Sequence, residues 1–437
     1  MERQIFNFSV QWHLTSNCIN RCRHCYMYDD RYVAEDCSYE NFVAMFQNVK
    51  EFFDKYGLTY PNFVLTGGSP LMNPECDKIL RFLCSMVDGQ LMLLDIPEVL
   101  TDSKIALLKE CRVSDYQMSL DGMKDMHDYI RGKGSFDRTI EACRRLNAEG
   151  IRPHIMYTVS IDNCGQLLAL CEYLVQTLDV FTFAFDFVVP YGNAAKNNSY
   201  ISNECADDIL EKYYDFAKKH SDTNRIFGLK PSRYRVYEKM KRNEPMQSVY
   251  SYPMMSGCHI GWDSICVLQN GDVLPCRRLP IVLGNLAKDS FEDILLSSEL
   301  LRKFRRFSLY QEKCGGCQYG VACRGCPAIT YALTGDCLGT YPLCTYEPDV
   351  ESAPRYHAPD MNCSKETELE FIKTSMNNYI SINSKHLFEV YPELIRYMRS
   401  YKRIQSQKDY HEWVKLYNTL KVDEECCLSR WVYSQRE

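Results

Sequence analysis

The sequence predicts an α/β fold: a parallel sheet curled into a partial (β/α)6 TIM-like barrel, then a small cysteine-rich domain and a helical C-terminal extension. Three observations carry this reading. Strand-like apolar runs and helix-like amphipathic stretches alternate with short turns over residues 1–215, which implies a parallel sheet, and about six such units suit a partial barrel better than a closed one of eight. Twelve of the 23 cysteines gather in two places, directly after the first strand and between residues 258 and 344. From Pro354 onward cysteines thin out and the chain turns aromatic and charged. The expected divisions are a barrel over 1–215, a polar helical bridge over 216–255, a cysteine-rich domain over 256–350 and the extension over 351–437.

Composition narrows the function classes. With 437 residues, 46% of them apolar, the chain can bury sizeable cores in about three domains. A net charge of -6 and the absence of a Lys/Arg block, with Lys239-Met-Lys-Arg242 short enough to be a solvated helix face, give no electrostatic reason to expect nucleic acid. The first residues carry charge of both signs with no apolar core behind them, so no signal peptide is expected. The most apolar window, Leu167 to Pro190, contains Glu172, Asp179 and Asp186, which are expensive at membrane depth. A buried helix followed by a buried strand is therefore predicted there, in a cytoplasmic protein with no membrane partner. An odd number of cysteines in so long a chain is also a poor disulfide framework.

In chain order, Phe6 to Leu14 reads as an aromatic-rich strand, and the loop Cys18-Ile-Asn-Arg-Cys22-Arg-His24-Cys25 follows it where barrels place their chemistry. Three thiolates spaced C-x3-C-x2-C can hold three irons of a [4Fe-4S] cube and leave the fourth open, although three ligands of a zinc site or free thiols would share the same residues. Ser38 is a plausible N-cap for a helix carrying Phe42, Met45, Phe46, Val49, Phe52 and Phe53 on one face and stopping at Gly57. Asn62 to Thr66 is the second strand and ends in Gly67-Gly68-Ser69-Pro70. The rhythm continues with a helix over Ser103–Cys111, a strand over Asp115–Ser119, a helix over Ser135–Asn147, a strand over His154–Val159, a helix over Cys164–Thr177 and a strand over Phe181–Val189. Asp207 to Lys219 is readable as an amphipathic helix.

The second thiol group opens with Cys258, Cys266 and Cys276. Asn270-Gly271 between apolar runs signals a hairpin that brings Cys258 and Cys276 near one another. Cys314-Gly-Gly-Cys317, Cys323-Arg-Gly-Cys326, Cys337 and Cys344 follow. Glycines between ligands let thiolates converge, and Cys314-x2-Cys317 with Cys323-x2-Cys326 also has the spacing of a four-thiolate zinc site. Cys84, Cys143 and Cys171 lie in apolar helical patterns as small core residues. In the extension, the stretches 366–379 and 391–405 look amphipathic, with docking as the default role.

The cysteine triple, with His24 before its third thiol, resembles the radical S-adenosylmethionine (SAM) superfamily. That resemblance implies that the open iron chelates SAM, whose cleavage gives a 5′-deoxyadenosyl radical. Gly67-Gly68-Ser69-Pro70 is similar to the family's GGE motif. It implies a backbone contact to SAM at Gly67 and Gly68 and a weaker side-chain role for Ser69, which stands where the acid is expected. Ser119-Leu-Asp121-Gly122 and Arg131 are similar to a stretch in relatives with extra clusters. That resemblance implies that Ser119 touches the SAM carboxylate or ribose and that Arg131 pairs with the carboxylate, a bidentate match for a guanidinium.

The second group resembles the SPASM domain, C-x(9–15)-G-x4-C, then C-x2-C-x5-C-x3-C, then a last cysteine. One step departs from it, since Cys323 and Cys326 are separated by two residues instead of three. The resemblance implies two auxiliary [4Fe-4S] clusters, three in all. One is held by Cys258, Cys276 and Cys326 with Cys266 as a candidate fourth ligand, the other by Cys314, Cys317, Cys323 and Cys344. Cys337 is unassigned. The expected activity is peptide modification, a thioether or carbon-carbon crosslink in a ribosomally made peptide, with an electron donor such as flavodoxin or ferredoxin. The runner-up is anaerobic sulfatase maturation, disfavoured because Arg277-Arg278 stand where an aspartate would act as base. A non-catalytic zinc or redox scaffold is the reading from another class. No leader-binding domain precedes the first strand, so leader recognition is expected to fall to a separate protein, the extension or the barrel.

Overall fold

A computed structural model describes residues 3–4, 6, 8–28, 34–87, 90–178, 182–219, 258–348 and 358–376. Six parallel strands form the barrel: β1 (Ser9–Thr15), β2 (Asn62–Gly67), β3 (Leu91–Leu94), β4 (Asp115–Ser119), β5 (Arg152–Val159) and β6 (Thr182–Phe187), side by side in chain order. Helices α1 (Tyr39–Lys55), α2 (Cys76–Met86), α3 (Asp102–Glu110), α4 (Lys124–Arg131), α5 (Ser135–Ala148) and α6 (Leu167–Thr177) make the crossovers. The sheet stays open, as expected of a partial barrel. α7 (Asn193–Lys196) and α8 (Asn203–Lys219) follow β6.

Local chemistry explains α1 well. The Ser38 hydroxyl accepts the Asn41 amide proton at 3.2 Å, and Glu40 adds a favourable charge in the first turn. The helix buries Phe42, Met45, Phe46, Val49, Phe52 and Phe53. Trp12 of β1 meets Phe42 with ring centroids 4.6 Å apart, and Phe46 packs edge-on to Phe82 of α2 at 5.1 Å. Each such buried ring contributes roughly 1.5–3 kcal/mol of transfer free energy, so this aromatic seam fixes α1 and α2 on the sheet. Sequence periodicity passes over α2 and β3. The four β3 residues, all buried, show no alternation that would mark them as a strand.

The cysteine-rich region does not stand apart from the sheet. β7 (Ser264–Val267) pairs in parallel with the free edge of β1, from Ser9 opposite Ser264 to Trp12 opposite Val267. β8 (Asp272–Leu274) and β9 (Gly284–Asn285) then extend it in antiparallel fashion to nine strands. The expected turn at Asn270-Gly271 is present, with Gly271 at φ +89°, a left-handed conformation that suits glycine. Five short helices follow: α9 (Phe291–Ser297), α10 (Glu299–Phe304), α11 (Glu312–Gly315), α12 (Gly320–Cys323) and α13 (Pro327–Thr334).

A helix over residues 365–376 docks on this region. Its fully buried Glu368 accepts from Arg305 at 3.0 Å and from Arg306 at 2.7 Å. The expected bridge beyond residue 219, the stretch 391–405 and the aromatic tail lie outside the described residues. In the apolar window, α6 and β6 are the buried helix and strand expected, and among the described residues no helix is long and apolar enough to cross a membrane.

Candidate active site

The thiols of Cys18, Cys22 and Cys25 all line one cavity, open to solvent, at the C-terminal ends of the barrel strands. Backbone contacts on two sides hold their loop. From β2, the Gly68 amide donates to the Thr15 carbonyl at 2.8 Å and the Ser69 amide to that of Asn17 at 2.7 Å. A Cβ on Gly67 would lie 2.2 Å from the Thr15 oxygen, and one on Gly68 would lie 2.1 Å from the Asn17 oxygen. Only glycine allows this approach, so the turn serves the cysteine loop as well as facing the cavity. From the far side of the barrel, Asn193 donates its amide to the Cys25 carbonyl at 2.9 Å and its side-chain amide to that of Cys22 at 3.0 Å. The sequence reading missed Gly192-Asn193, whose only signal is a glycine after a strand.

Burial keeps these thiols protonated. It pushes Cys18 up to about 11 and Cys25 up to about 12, and raises Cys22 against the nearby charge of Arg131. A metal cluster reverses that balance, since thiolate ligation displaces the proton. Arg131 ends α4 and points at this group: its Nη1 lies 3.6 Å from the Cys22 sulfur and its Nη2 3.3 Å from His24 Nε2. Its Nε is bonded to Asp121, a carboxylate fully shielded from water. Burial pushes Asp121 up, but Arg131, His24 and His127 outweigh it and hold its carboxyl below the usual range. His24 is pulled down to about 4 by burial and is neutral at physiological pH. Arg131 is thus anchored by Asp121 as it faces the cavity, a support that the sequence reading did not assign.

Ser119, Gly67 and Gly68 line the cavity as expected. Ser69 does not: it is fully buried and its hydroxyl donates to Asp95 Oδ1 at 2.5 Å. Asp95, just beyond β3, does line the cavity. Its carboxylate also accepts from the Ile96 amide at 2.7 Å and the Leu71 amide at 2.9 Å. Desolvation raises it to about 7, with Glu98 adding to the rise. Among the described residues no Lys or Arg forms an ion pair with it.

The auxiliary thiols sort into two groups. Cys258 neighbours Cys326 and Cys276, and burial pushes it up to about 12. Cys266 neighbours Cys276 from its buried place on β7. Cys314, Cys317 and Cys344 neighbour one another, and Cys323 packs against the cluster of Cys317 and Tyr319. The Tyr341 amide donates to the Cys314 sulfur at 3.3 Å. Cys337 has Asp336 and Lys303 as its charged neighbours and stands apart from both groups. Among the described residues no three Cys, His, Asp or Glu side chains converge as ligands of a single ion. A cube carries one thiolate per corner and needs them spread. Arg277 and Arg278, directly after Cys276, reach the cavity, and Arg278 pairs with Asp186 at the end of β6.

Fold and thiol groups together define an iron–sulfur enzyme in which a cluster-binding loop opens on a parallel barrel and a second thiol-rich domain borders the same cavity. Residues 12–166 match the Radical SAM superfamily, and residues 258–318 match the iron-sulfur cluster-binding domain SPASM. The chain is a radical SAM enzyme with a SPASM domain, and its cofactors are SAM and iron–sulfur clusters. It is 28% identical to an AdoMet-dependent heme synthase of Methanosarcina barkeri, over 78% of this chain and 96% of that one. It is 26% identical to the antilisterial bacteriocin subtilosin biosynthesis protein AlbA of Bacillus subtilis, over 72% and 65%. Among solved structures, Streptococcus suis SuiB bound to S-adenosylmethionine has a TM-score of 0.62 at 16% identity and covers 78% of each chain, a likeness of fold.

Proposed function

We propose that this enzyme modifies a ribosomally made peptide by an oxidative crosslink, a thioether or carbon-carbon bond, at the cavity shared by the cysteine loop and Arg277-Arg278. The observation that carries the reading is this shared cavity: Arg277 and Arg278, directly after Cys276, line the same cavity as Cys18, Cys22 and Cys25. Bound SAM supplies a carbon radical that removes a substrate hydrogen, and a neighbouring cluster suits the removal of the remaining electron. Cys18, Cys22 and Cys25 would hold the first cluster, with the Gly67-Gly68 backbone, Ser119, Arg131 and Asp95 around SAM. Asp95 offers a desolvated carboxylate to an ammonium group, and Arg131 a guanidinium to a carboxylate. Cys258, Cys276 and Cys326, and Cys314, Cys317, Cys323 and Cys344, would hold two auxiliary clusters. Relatives named for subtilosin biosynthesis and for sporulation killing factor maturation support a peptide substrate.

A second reading, oxidation of a tetrapyrrole, is favoured by a specific observation. The alignment covers nearly the whole of a heme synthase. Arg277, whose Nη1 lies 3.5 Å from the Thr66 hydroxyl and which among the described residues forms no ion pair, also suits a substrate carboxylate at the cavity. Anaerobic incubation with SAM and reductant separates the two. A cysteine-bearing precursor peptide that loses two hydrogens by mass supports the first; turnover of a carboxylate-bearing iron tetrapyrrole with the peptide untouched replaces it with the second.

A further inference from the structure

Arg324 lies between a thiol of one auxiliary group and a thiol of the other, in Cys323-Arg324-Gly325-Cys326. This is the step where the spacing is one residue shorter than the SPASM pattern. The turn is held by two successive left-handed residues, Arg324 at φ +53° and Gly325 at φ +57°. A Cβ on Gly325 would come within 2.6 Å of the Tyr341 side chain, so the tight turn depends on that glycine. The turn drives a guanidinium inward: Arg324 is 7% exposed.

Its Nε, Nη1 and Nη2 are all buried, and none has a hydrogen-bond partner among the described residues. Its ring contact is with Trp262, whose centroid is 5.9 Å from the guanidinium carbon, near the outer limit of a cation–π attraction. A charged group buried with its donors unmatched is costly, and native structures keep such a group where something satisfies it. The nearby electrostatic partner is Cys258, which itself neighbours Cys276 and Cys326. Arg305 and Arg306 in the same domain show the ordinary alternative, each paired to buried Glu368.

We propose that Arg324 donates its unmatched N–H groups to the cluster held by Cys258, Cys276 and Cys326 and raises the reduction potential of that cluster. The inference rests on the reading of those cysteines as cluster ligands. One-electron reduction adds one negative charge to a cluster already made anionic by its thiolates, and a desolvated cation beside it favours the reduced form. Arg324 is a positioning and tuning residue, without contact to substrate.

The test is a redox titration of the reconstituted holoenzyme, followed by electron paramagnetic resonance with dithionite as reductant, on wild type, Arg324→Met and Arg324→Lys. Arg324→Met is expected to keep its iron and to lower one auxiliary midpoint by a tenfold or larger change in the reduction equilibrium, which is about 59 mV for one electron. Arg324→Lys keeps the charge and recovers at least half of that shift, while the midpoint of the cluster at Cys18, Cys22 and Cys25 does not move. Loss of one cluster in the Met variant alone also supports a cation-dependent site. Unchanged midpoints with full iron, equal shifts in both variants, or iron loss in both overturn the inference. Wild type that takes up no iron at Cys258, Cys276 and Cys326 overturns the ligand reading itself, and the missing auxiliary signal distinguishes that failure from the others.

Discussion

The two ends of one parallel sheet treat a buried carboxylate in opposite ways. At the start of β4, Asp115 receives Arg152 through two bonds of 2.8 and 2.6 Å and His154 through one of 2.6 Å. Burial alone would raise that carboxyl, but the Arg152 charge and the contacts with Arg152 and His154 outweigh it and hold it far below its ordinary value. Beyond the end of β3, Asp95 has among the described residues only a hydroxyl and two backbone amides as partners, and burial carries it up to about 7. At the first end the protein's own charges complete the network, so it serves stability. At the second, a desolvated carboxyl, buried thiols and the guanidinium of Arg131 face a common cavity, the arrangement expected where cofactors and substrate supply the missing charges.

The sharpest way to break the contrast is at the cysteine loop. Cys18→Ala/Cys22→Ala/Cys25→Ala is expected to abolish 5′-deoxyadenosine formation from SAM while the auxiliary iron remains, as read by product chromatography beside iron analysis. At the opposite end, Asp115→Asn leaves Arg152 and His154 without their anion and should cost about 3–5 kcal/mol in urea unfolding with SAM chemistry retained.

The effect of Asp95→Asn runs the other way. The folded-state carboxyl holds its proton up to about 7, whereas an exposed aspartate releases it near 4. Unfolding therefore releases a proton between those values, and the cofactor-free protein loses stability through this group as pH rises from about 4 to about 7. The Asn variant should lack that decline when urea midpoints are compared across the interval, and it should bind SAM about tenfold or more weakly by equilibrium dialysis, the scale of one lost charge-assisted contact. The smallest effect belongs to Cys337→Ala. Its thiol stands apart from both auxiliary groups, so iron content is expected to match wild type.

How much of this was legible in the sequence depended on distance along the chain. The C-x3-C-x2-C loop, the Gly67-Gly68 turn, the Asn270-Gly271 hairpin and the Ser38 cap are local signals, and each appears in the structure where it was read. The Ser69–Asp95 bond was hidden because it joins two strand ends, and β3 itself is too short and uniformly apolar to announce a period. Resemblance suggested that Arg131 faces SAM, whereas its anchor Asp121 depends on how α4 returns over β4. The pairing of β1 with β7, which brings the second thiol region to the first, joins residues far apart in sequence, and no local pattern encodes it. The unmatched donors of Arg324 are likewise a property of packing.

Iron and acid-labile sulfide per chain after anaerobic reconstitution, followed by 5′-deoxyadenosine release from SAM plus reductant, test the central claim most directly. About twelve irons with SAM cleavage are the predicted result, from three cube-binding thiol groups. Zinc in place of iron, or full iron with no cleavage, would contradict it.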